Sequence, residues 1–303
     1  MRSEYDASKF DFVKASKKFF IISIVITLIG IVSVSVRGLN YGIDFQSGTS
    51  VDITVTKTVE KATVDQFIEE HGFGEHTLTT SPDRLSIRFK AALDEDQGKV
   101  LRADFSSQID DKAEYEINIV DADIAVEQQR NALIGMLIAC LGIVIYMSIR
   151  FEWRFGLAAI LGLAHDAFIV IAAFSIFGWE VNLPFIVAVL TIIGYSVNDT
   201  VVIFDRIREN LRFAKLKTPA DVALLVNRSV WQTLTRSINT VVTVLVAAVA
   251  LFIFGSESIR LFSLAMIIGL FVGAYSSIFI SSPIWLLLRG NSVPKKRAAK
   301  AAN

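Results

Sequence analysis

The sequence predicts an α-helical polytopic membrane protein, six transmembrane helices carrying a small α+β domain outside the membrane. Three observations predict it. Of the 303 residues, 53% are hydrophobic, more than a soluble globular chain carries. The apolar residues gather into six runs, 19–36, 131–149, 155–177, 183–204, 233–254 and 261–288, each near the ~20 residues a helix needs to cross a bilayer. The flanking charges divide unevenly. With the N-terminus inside, the inner segments hold 18 Lys and Arg against 7 Asp and Glu, and the outer segments hold 11 against 21.

The first run follows Lys9, Lys14, Lys17 and Lys18, a pattern shared by signal peptides and anchors. Its length and the weak cleavage site in Ser33-Val-Ser-Val-Arg-Gly38 predict an uncleaved anchor after a cytoplasmic segment 1–18. Residues 37–130 form the one sizeable polar segment. Within it, 50–56 alternates as a strand, 64–71 reads as a helix stopped by Gly72, and 76–80 and 84–90 read as strands around Ser81-Pro-Asp83. Residues 94–109 read as a helix capped by Asp94, and 114–120 as a last strand. The βαββαβ order predicts a ferredoxin-like split unit with a small core.

The runs within 131–288 are transmembrane helices 2–6, followed by a basic cytoplasmic tail, 289–303. Arg150 and Arg154 lie after the second helix, and a basic loop spanning 206–228 follows the fourth. The excess of Lys and Arg on these segments places both termini in the cytoplasm and 37–130 outside. The same rule accounts for the basic loop, so nucleic acid is not an expected partner. Three histidines, His71, His76 and His165, and one cysteine, Cys140, lack metal-ligand spacing, and a single cysteine forms no internal disulfide. No metal or other cofactor is expected.

Three ionisable residues fall inside apolar runs: Asp166, Asp199 and Arg236. A carboxylate at the centre of a membrane helix costs about 2.5–3.5 kcal/mol on insertion scales, so such a group is usually paired or used. Asp199 lies about 9 Å above Asp205 along its helix, in the inner half of the membrane. Arg236 enters from inside on the next helix and reaches similar depth. Asn239, Thr240 and Thr243 continue from it as a polar stripe that faces protein or water. In the bland reading Arg236 snorkels to the headgroups and Asp199 is a structural partner. Asp166 sits mid-membrane beside His165, equally suited to bonding neighbouring helices and to carrying a proton. Ala265, Gly269, Gly273, Ser277 and Ser281 place a small residue at every fourth position of the sixth run, a close-packing face. An intramembrane aspartyl protease would need Gly-x-Gly-Asp, where this chain has Ser196-Val-Asn-Asp199.

Several motifs resemble the SecD/SecF protein-export family, in its SecF branch, over nearly the whole chain. Tyr41-Gly-Ile-Asp-Phe-Gln-Ser-Gly-Thr49 is similar to the family's Gly-Ile-Asp-Phe-x-Gly-Gly-Thr, with Ser47 in place of the first of the paired glycines. Arg150-Phe-Glu-Trp-Arg-Phe155, His165-Asp166, Asn198-Asp199-Thr200, Phe204-Asp-Arg-Ile-Arg-Glu-Asn210 and Thr235-Arg-Ser-Ile-Asn-Thr240 follow its pattern. The resemblance implies half of a resistance-nodulation-division transporter in the bacterial cytoplasmic membrane. It also implies a SecD-like subunit, the SecYEG channel and unfolded preprotein as partners, with the proton-motive force as energy source. Asp199, Arg236 and Asp166 are then the expected proton-coupling residues, and Asn198, Asn239 and Thr240 the supporting polar groups. Helix packing falls to Gly269, Gly273 and Ser277. A small-molecule exporter of the same fold and a partner-stabilising scaffold are the competing classes. No hydrolase motif is present.

Overall fold

The computed structural model describes residues 10–214, 216 and 218–290. Arg2, Lys9, Lys215, Lys217 and the expected tail beyond Gly290 lie outside them. In chain order the elements are α1 (Phe12–Val36), β1 (Asn40–Tyr41), α2 (Ile43–Gln46), β2 (Gly48–Thr54), α3 (Lys61–His71), β3 (His76–Thr80), β4 (Arg84–Phe89) and α4 (Glu95–Gln108). There follow β5 (Glu114–Val120), α5 (Ala122–Arg150), α6 (Trp153–Phe177), β6 (Glu180–Val181), α7 (Leu183–Phe213), α8 (Pro219–Phe254) and α9 (Glu257–Ser276). A π-helical turn, Ser277–Ser281, joins α9 to α10 (Ser282–Gly290). Six helical stretches are long and apolar enough to cross a membrane: α1, α5, α6, α7, α8, and α9 continued through α10.

The helices extend beyond the apolar runs expected to lie in the membrane. α1 starts at Phe12, where Asp11 accepts the Lys14 N–H as an N-cap. The last nine residues assigned to the outer segment, 122–130, belong to α5. The expected basic loop 206–228 is mostly helix: α7 runs to Phe213, and α8 begins behind a Thr218/Asp221 capping box. The reason is burial at helical spacing. Phe204 and Ile207, then Val222, Leu225, Val226 and Val230, fill an apolar cluster at the inner end of the bundle. Apolar runs report where the lipid lies, whereas caps and buried faces set where a helix stops.

The α+β domain, expected outside the membrane and called the outer domain for that reason, follows the βαββαβ order that periodicity predicts. Its four-stranded sheet is ordered β3-β4-β2-β5 and is antiparallel throughout. Alternate residues Val51 and Ile53 of β2, and Leu85, Ile87 and Phe89 of β4, point to one face. There they meet Val64, Phe67 and Ile68 of α3 and Leu101 and Phe105 of α4. Asp94 caps α4 through a capping box with Gln97.

The opposite sheet face is polar and rests on the outer ends of the membrane helices. Arg84 donates to the Gly255 carbonyl between α8 and α9 (2.5 Å). Arg88 donates to Glu180 between α6 and α7 (2.6 Å). Burial pushes the Glu180 carboxyl above its ordinary value, and the Arg88 guanidinium opposes that shift. A contact that local periodicity did not reveal lies beneath: β1 pairs in parallel with β6, two residues each.

The motif at 41–49 builds this junction. Gly48 has φ +126°, and a Cβ there would lie 2.3 Å from the Phe89 carbonyl oxygen. Ser47 has φ +63° and ψ 164°, a region that is essentially glycine-only and costs other residues about 1–3 kcal/mol. The family pattern has glycine at this position, so this chain carries the strain. Ser47→Gly is therefore expected to stabilise the protein by about 1 kcal/mol after the loss of roughly 0.4–1 kcal/mol to unfolded-state entropy. A higher thermal unfolding midpoint in detergent is the readout, and an unchanged or lower midpoint would show the serine to be relaxed.

Candidate functional site: a polar layer within the helix bundle

The bundle core divides into two apolar clusters. The inner one centres on Phe155, Phe204 and Trp285, with Phe155 stacked on Trp285 at 4.6 Å. The other contains Leu163, Phe174, Phe185, Ile192 and Leu270. Between them lies a layer of polar side chains on α6, α7 and the sixth span.

Asp166 of α6 is fully buried. Its Oδ2 accepts hydrogen bonds from Ser196 of α7 (2.5 Å) and Ser276 of α9 (2.7 Å), and its Oδ1 faces Nδ1 of His165 at 3.0 Å. An unpaired buried carboxylate would cost several kcal/mol; here it joins three helices. Thr200 and Ser277 extend the layer by a hydroxyl–hydroxyl contact of 2.8 Å. Nε2 of His165 is buried without a partner. Sequence reasoning found Asp166 but missed Ser196, Ser276 and Thr200. A serine in an apolar helix usually bonds its own preceding turn, so nothing local marked them.

Asp199, one turn after Ser196 on α7, has a different environment. Its Oδ2 is buried and has no hydrogen-bond partner. Ser237 of α8 lies close enough to interact with the carboxylate, yet its own Oγ also lacks a partner of hydrogen-bonding geometry. The expected Asp199–Arg236 ion pair is not formed among the described residues. The Arg236 side chain lies on an exposed face of α8. The reason is helical phase: Ser237, not Arg236, turns inward toward α7. Asn198 and Asn239 are likewise exposed. Thr240 and Thr243 donate to the Arg236 and Asn239 carbonyls of their own helix, so the stripe is partly satisfied locally. Thr240, Asp199, Asn198, Ser196 and Gly273 line one small cavity between α7, α8 and α9.

The small-residue stripe packs against α7 in register. A Cβ on Gly269 would lie 2.3–2.7 Å from side-chain atoms of Ile192; one on Gly273 would lie 3.4 Å from the Ser196 Cβ and 3.8 Å from the Asp166 carboxylate. Ser277 meets Thr200. Steps of four on the sixth span thus match steps of four on α7, at 192, 196 and 200.

Two motif segments meet at the inner end. Arg150 pairs with Asp205 at 2.7 Å. Phe151 packs edge-on to Phe204, with Arg150 and Arg208 against its ring. Among the described residues no group of three His, Cys, Asp or Glu could hold a metal.

Residues 101–291 match a family model described as protein export membrane protein SecD/SecF, C-terminal, and residues 32–59 match the SecD/SecF GG motif. Protein translocase subunit SecF of Alicyclobacillus acidocaldarius is 43% identical, over 97% of this chain and 98% of its own. Protein translocase subunit SecDF of Bacillus subtilis is 41% identical, over 96% of this chain and 40% of its own length. The crystal structure of SecDF from Thermus thermophilus, described as a translocon-associated membrane protein, is similar with a TM-score of 0.83 at 35% identity. That match covers 93% of this chain and 39% of the Thermus chain. The chain thus spans about two fifths of the SecDF chains it resembles.

The two glycines that set the α7–α9 distance make different demands. An alanine at 269 must displace Ile192, a stiff β-branched side chain. Overpacking of this kind costs about 1–3 kcal/mol. Gly269→Ala is expected to lower the yield and thermal midpoint of the purified protein, and Gly273→Ala to stay close to wild type. Equal behaviour of the two variants would mean that α7 and α9 do not pack in this register.

Proposed function

Since the chain belongs to the SecD/SecF family of protein-export membrane proteins, we propose that it works with a SecD-like subunit to couple the proton-motive force to preprotein translocation. The step it drives is a late one, in which unfolded preprotein leaves the SecYEG channel across the bacterial cytoplasmic membrane. The relatives in which both halves form one SecDF chain support a SecD-like partner supplying the remaining spans. The protein acts as a transport subunit rather than as a hydrolase.

The observation that carries the proton reading is the contrast between two carboxylates of one polar layer. Asp166 is held by three neighbours, whereas Asp199 has an unpartnered oxygen. Arginine stays protonated, so Arg236 cannot be the carrier. A guanidinium approaching Asp199 favours its carboxylate form, and one moving away favours the acid. Arg236, exposed on α8, alternates between these positions as the bundle and its partner shift. A potential of 100 mV supplies ~2.3 kcal/mol per charge that crosses fully, enough to bias a two-state equilibrium about fiftyfold. Asp166 belongs to the same proton-coupling layer, joined to the helix of Asp199 through Ser196. Asn198, Asn239 and Thr240 supply polar groups around the path.

The proposed topology places both termini in the cytoplasm and 37–130 outside. It is tested by labelling cysteines introduced into a Cys140→Ser background. Positions in 71–114 should react with a membrane-impermeant reagent in intact cells, and positions in 206–213 only after permeabilisation. Labelling of 206–213 from outside would sink the orientation.

Asp199→Asn keeps the side-chain shape and removes the titratable proton. It is expected to leave membrane insertion and partner assembly intact while abolishing proton-driven stimulation of export and proton flux in vesicles. Arg236→Met should impair the same step, with export driven by the cytoplasmic ATPase spared in both. Full proton-dependent stimulation by Asp199→Asn would remove it as carrier. Loss of assembly together with stimulation would favour a scaffold.

A further inference from the structure

The helix that carries Asp199 is clamped at its outer end by the outer domain. Leu183, the first residue of α7, donates its N–H to Asp44 Oδ2 at 2.7 Å. Asp44 lies in α2, directly before β2, the first strand of the domain sheet. A carboxylate at a helix N-terminus satisfies an orphan amide and meets the positive end of the helix dipole. Asn182, the N-cap, holds the same first turn by accepting from the Phe185 N–H at 3.0 Å. One residue earlier the chain is held through backbone: β1 pairs with β6, and Gly42 N–H donates to the Val181 carbonyl at 2.9 Å.

A second tie runs through side chains. Glu180, in β6, receives Arg88 Nε from β4 at 2.6 Å, and Arg88 Nη1 lies 3.4 Å from Asp52 of β2. Ser86 and Ser50 donate to Asp52 at 2.5 and 3.1 Å. Glu180 lies close over Gly42: a Cβ at 42 would fall 2.3 Å from Glu180 Oε1. The Arg88–Glu180 pair is largely shielded, with side-chain exposures of 18% and 16%. Shielded, hydrogen-bonded ion pairs hold geometry better than exposed ones.

We propose that Asp44, Glu180 and Arg88 form the joint that transmits displacement of α7 to the outer domain. This rests on the reading of Asp199 as proton carrier. In this arrangement α7, β6 and the strand pair β2–β4 move as one body. A shift at the Asp199 layer travels along a continuous helix, which is stiff over this length, to Leu183. From there Asp44 and the Arg88–Glu180 pair pass it to the sheet. The three residues stand at the outer end of α7, away from the proton layer, so weakening the joint separates transmission from proton movement.

The test uses the full chain assembled with its SecD-like partner in membrane vesicles, with proton flux and proton-driven stimulation of export measured side by side. Asp44→Ala combined with Arg88→Met should keep flux near wild type while stimulation falls at least about fivefold, the lower end of typical coupling between sites. Wild-type stimulation in that variant overturns the proposal, and so does a parallel loss of flux at normal abundance. Asp199→Asn serves as the reference. If it retains both activities, the carrier reading fails independently of the joint. Misfolding is controlled by Arg88→Cys with Glu180→Cys in a Cys140→Ser background. This protein should be uncoupled until a bifunctional thiol reagent joins the two positions, and should then recover stimulation. No recovery on cross-linking, with abundance unchanged, counts against the joint.

Discussion

The bundle is organised around a carboxyl group that has no access to solvent. Asp166 is tolerable in the membrane interior because donors from neighbouring groups surround it. Meeting that need fixes much else. Ser196 must face α6, which sets the rotation of α7. Ser276 must reach the same carboxylate oxygen as Ser196, which brings α9 against both α6 and α7, where Gly269 and Gly273 carry no bulk. The apolar core is consequently interrupted, with one aromatic-rich cluster at the inner end and another beyond the polar layer. Asp199 lies one turn along α7 yet escapes this arrangement. One layer therefore holds a carboxyl group bonded to three side chains and a second with an unpartnered oxygen.

The outer domain shows how a small unit settles its two faces. Alternation on β2 and β4 buries Val51, Ile53, Leu85, Ile87 and Phe89 under α3 and α4. The same alternation sends Asp52, Ser86 and Arg88 to the other face. That face is covered by the outer ends of the membrane helices, through Gly255 and Glu180. A domain of this size has a marginal core, and seating on the bundle adds a second contact surface. The sheet register and the docking of the domain are thus two results of one pleat.

The sequence made the spans, the four long strands and the Asp94 cap legible because each depends on near neighbours in the chain. Hydropathy needs a window of about twenty residues and strand alternation needs about six. The parts it hid are non-local. β1 and β6 are two residues each and lie some 140 positions apart. Asp44 as cap of α7 could not be read from α7, whose own local cap is Asn182. Asp199 and Arg236 stand out in the sequence as ionisable residues within apolar runs, but their expected pairing rests on depth alone. Depth does not fix rotation, and on α8 the residue turned inward is Ser237. The inner boundaries of α7 and α8 were missed for a related reason. Charged residues there interrupt the hydropathy signal, while the buried positions between them keep helical phase.

The π-helical turn at Ser277–Ser281 changes what a regular stripe of small residues means. Such a turn inserts one surplus residue into the helix, and the Ser282 hydroxyl adds a side-chain bond to the Ser277 carbonyl there. At about 100° per residue of an α-helix, this rotates everything downstream. Gly269, Gly273 and Ser277 face α7, but Ser281 instead lies against Gly162 of α6. The sixth span is therefore two segments that address different neighbours, spliced at the depth of the polar layer. Beyond the splice, Trp285 stacks on Phe155 of α6. A helix spliced in this way carries two phases, so one span can offer small residues to two neighbouring helices in turn, to α7 before the splice and to α6 after it.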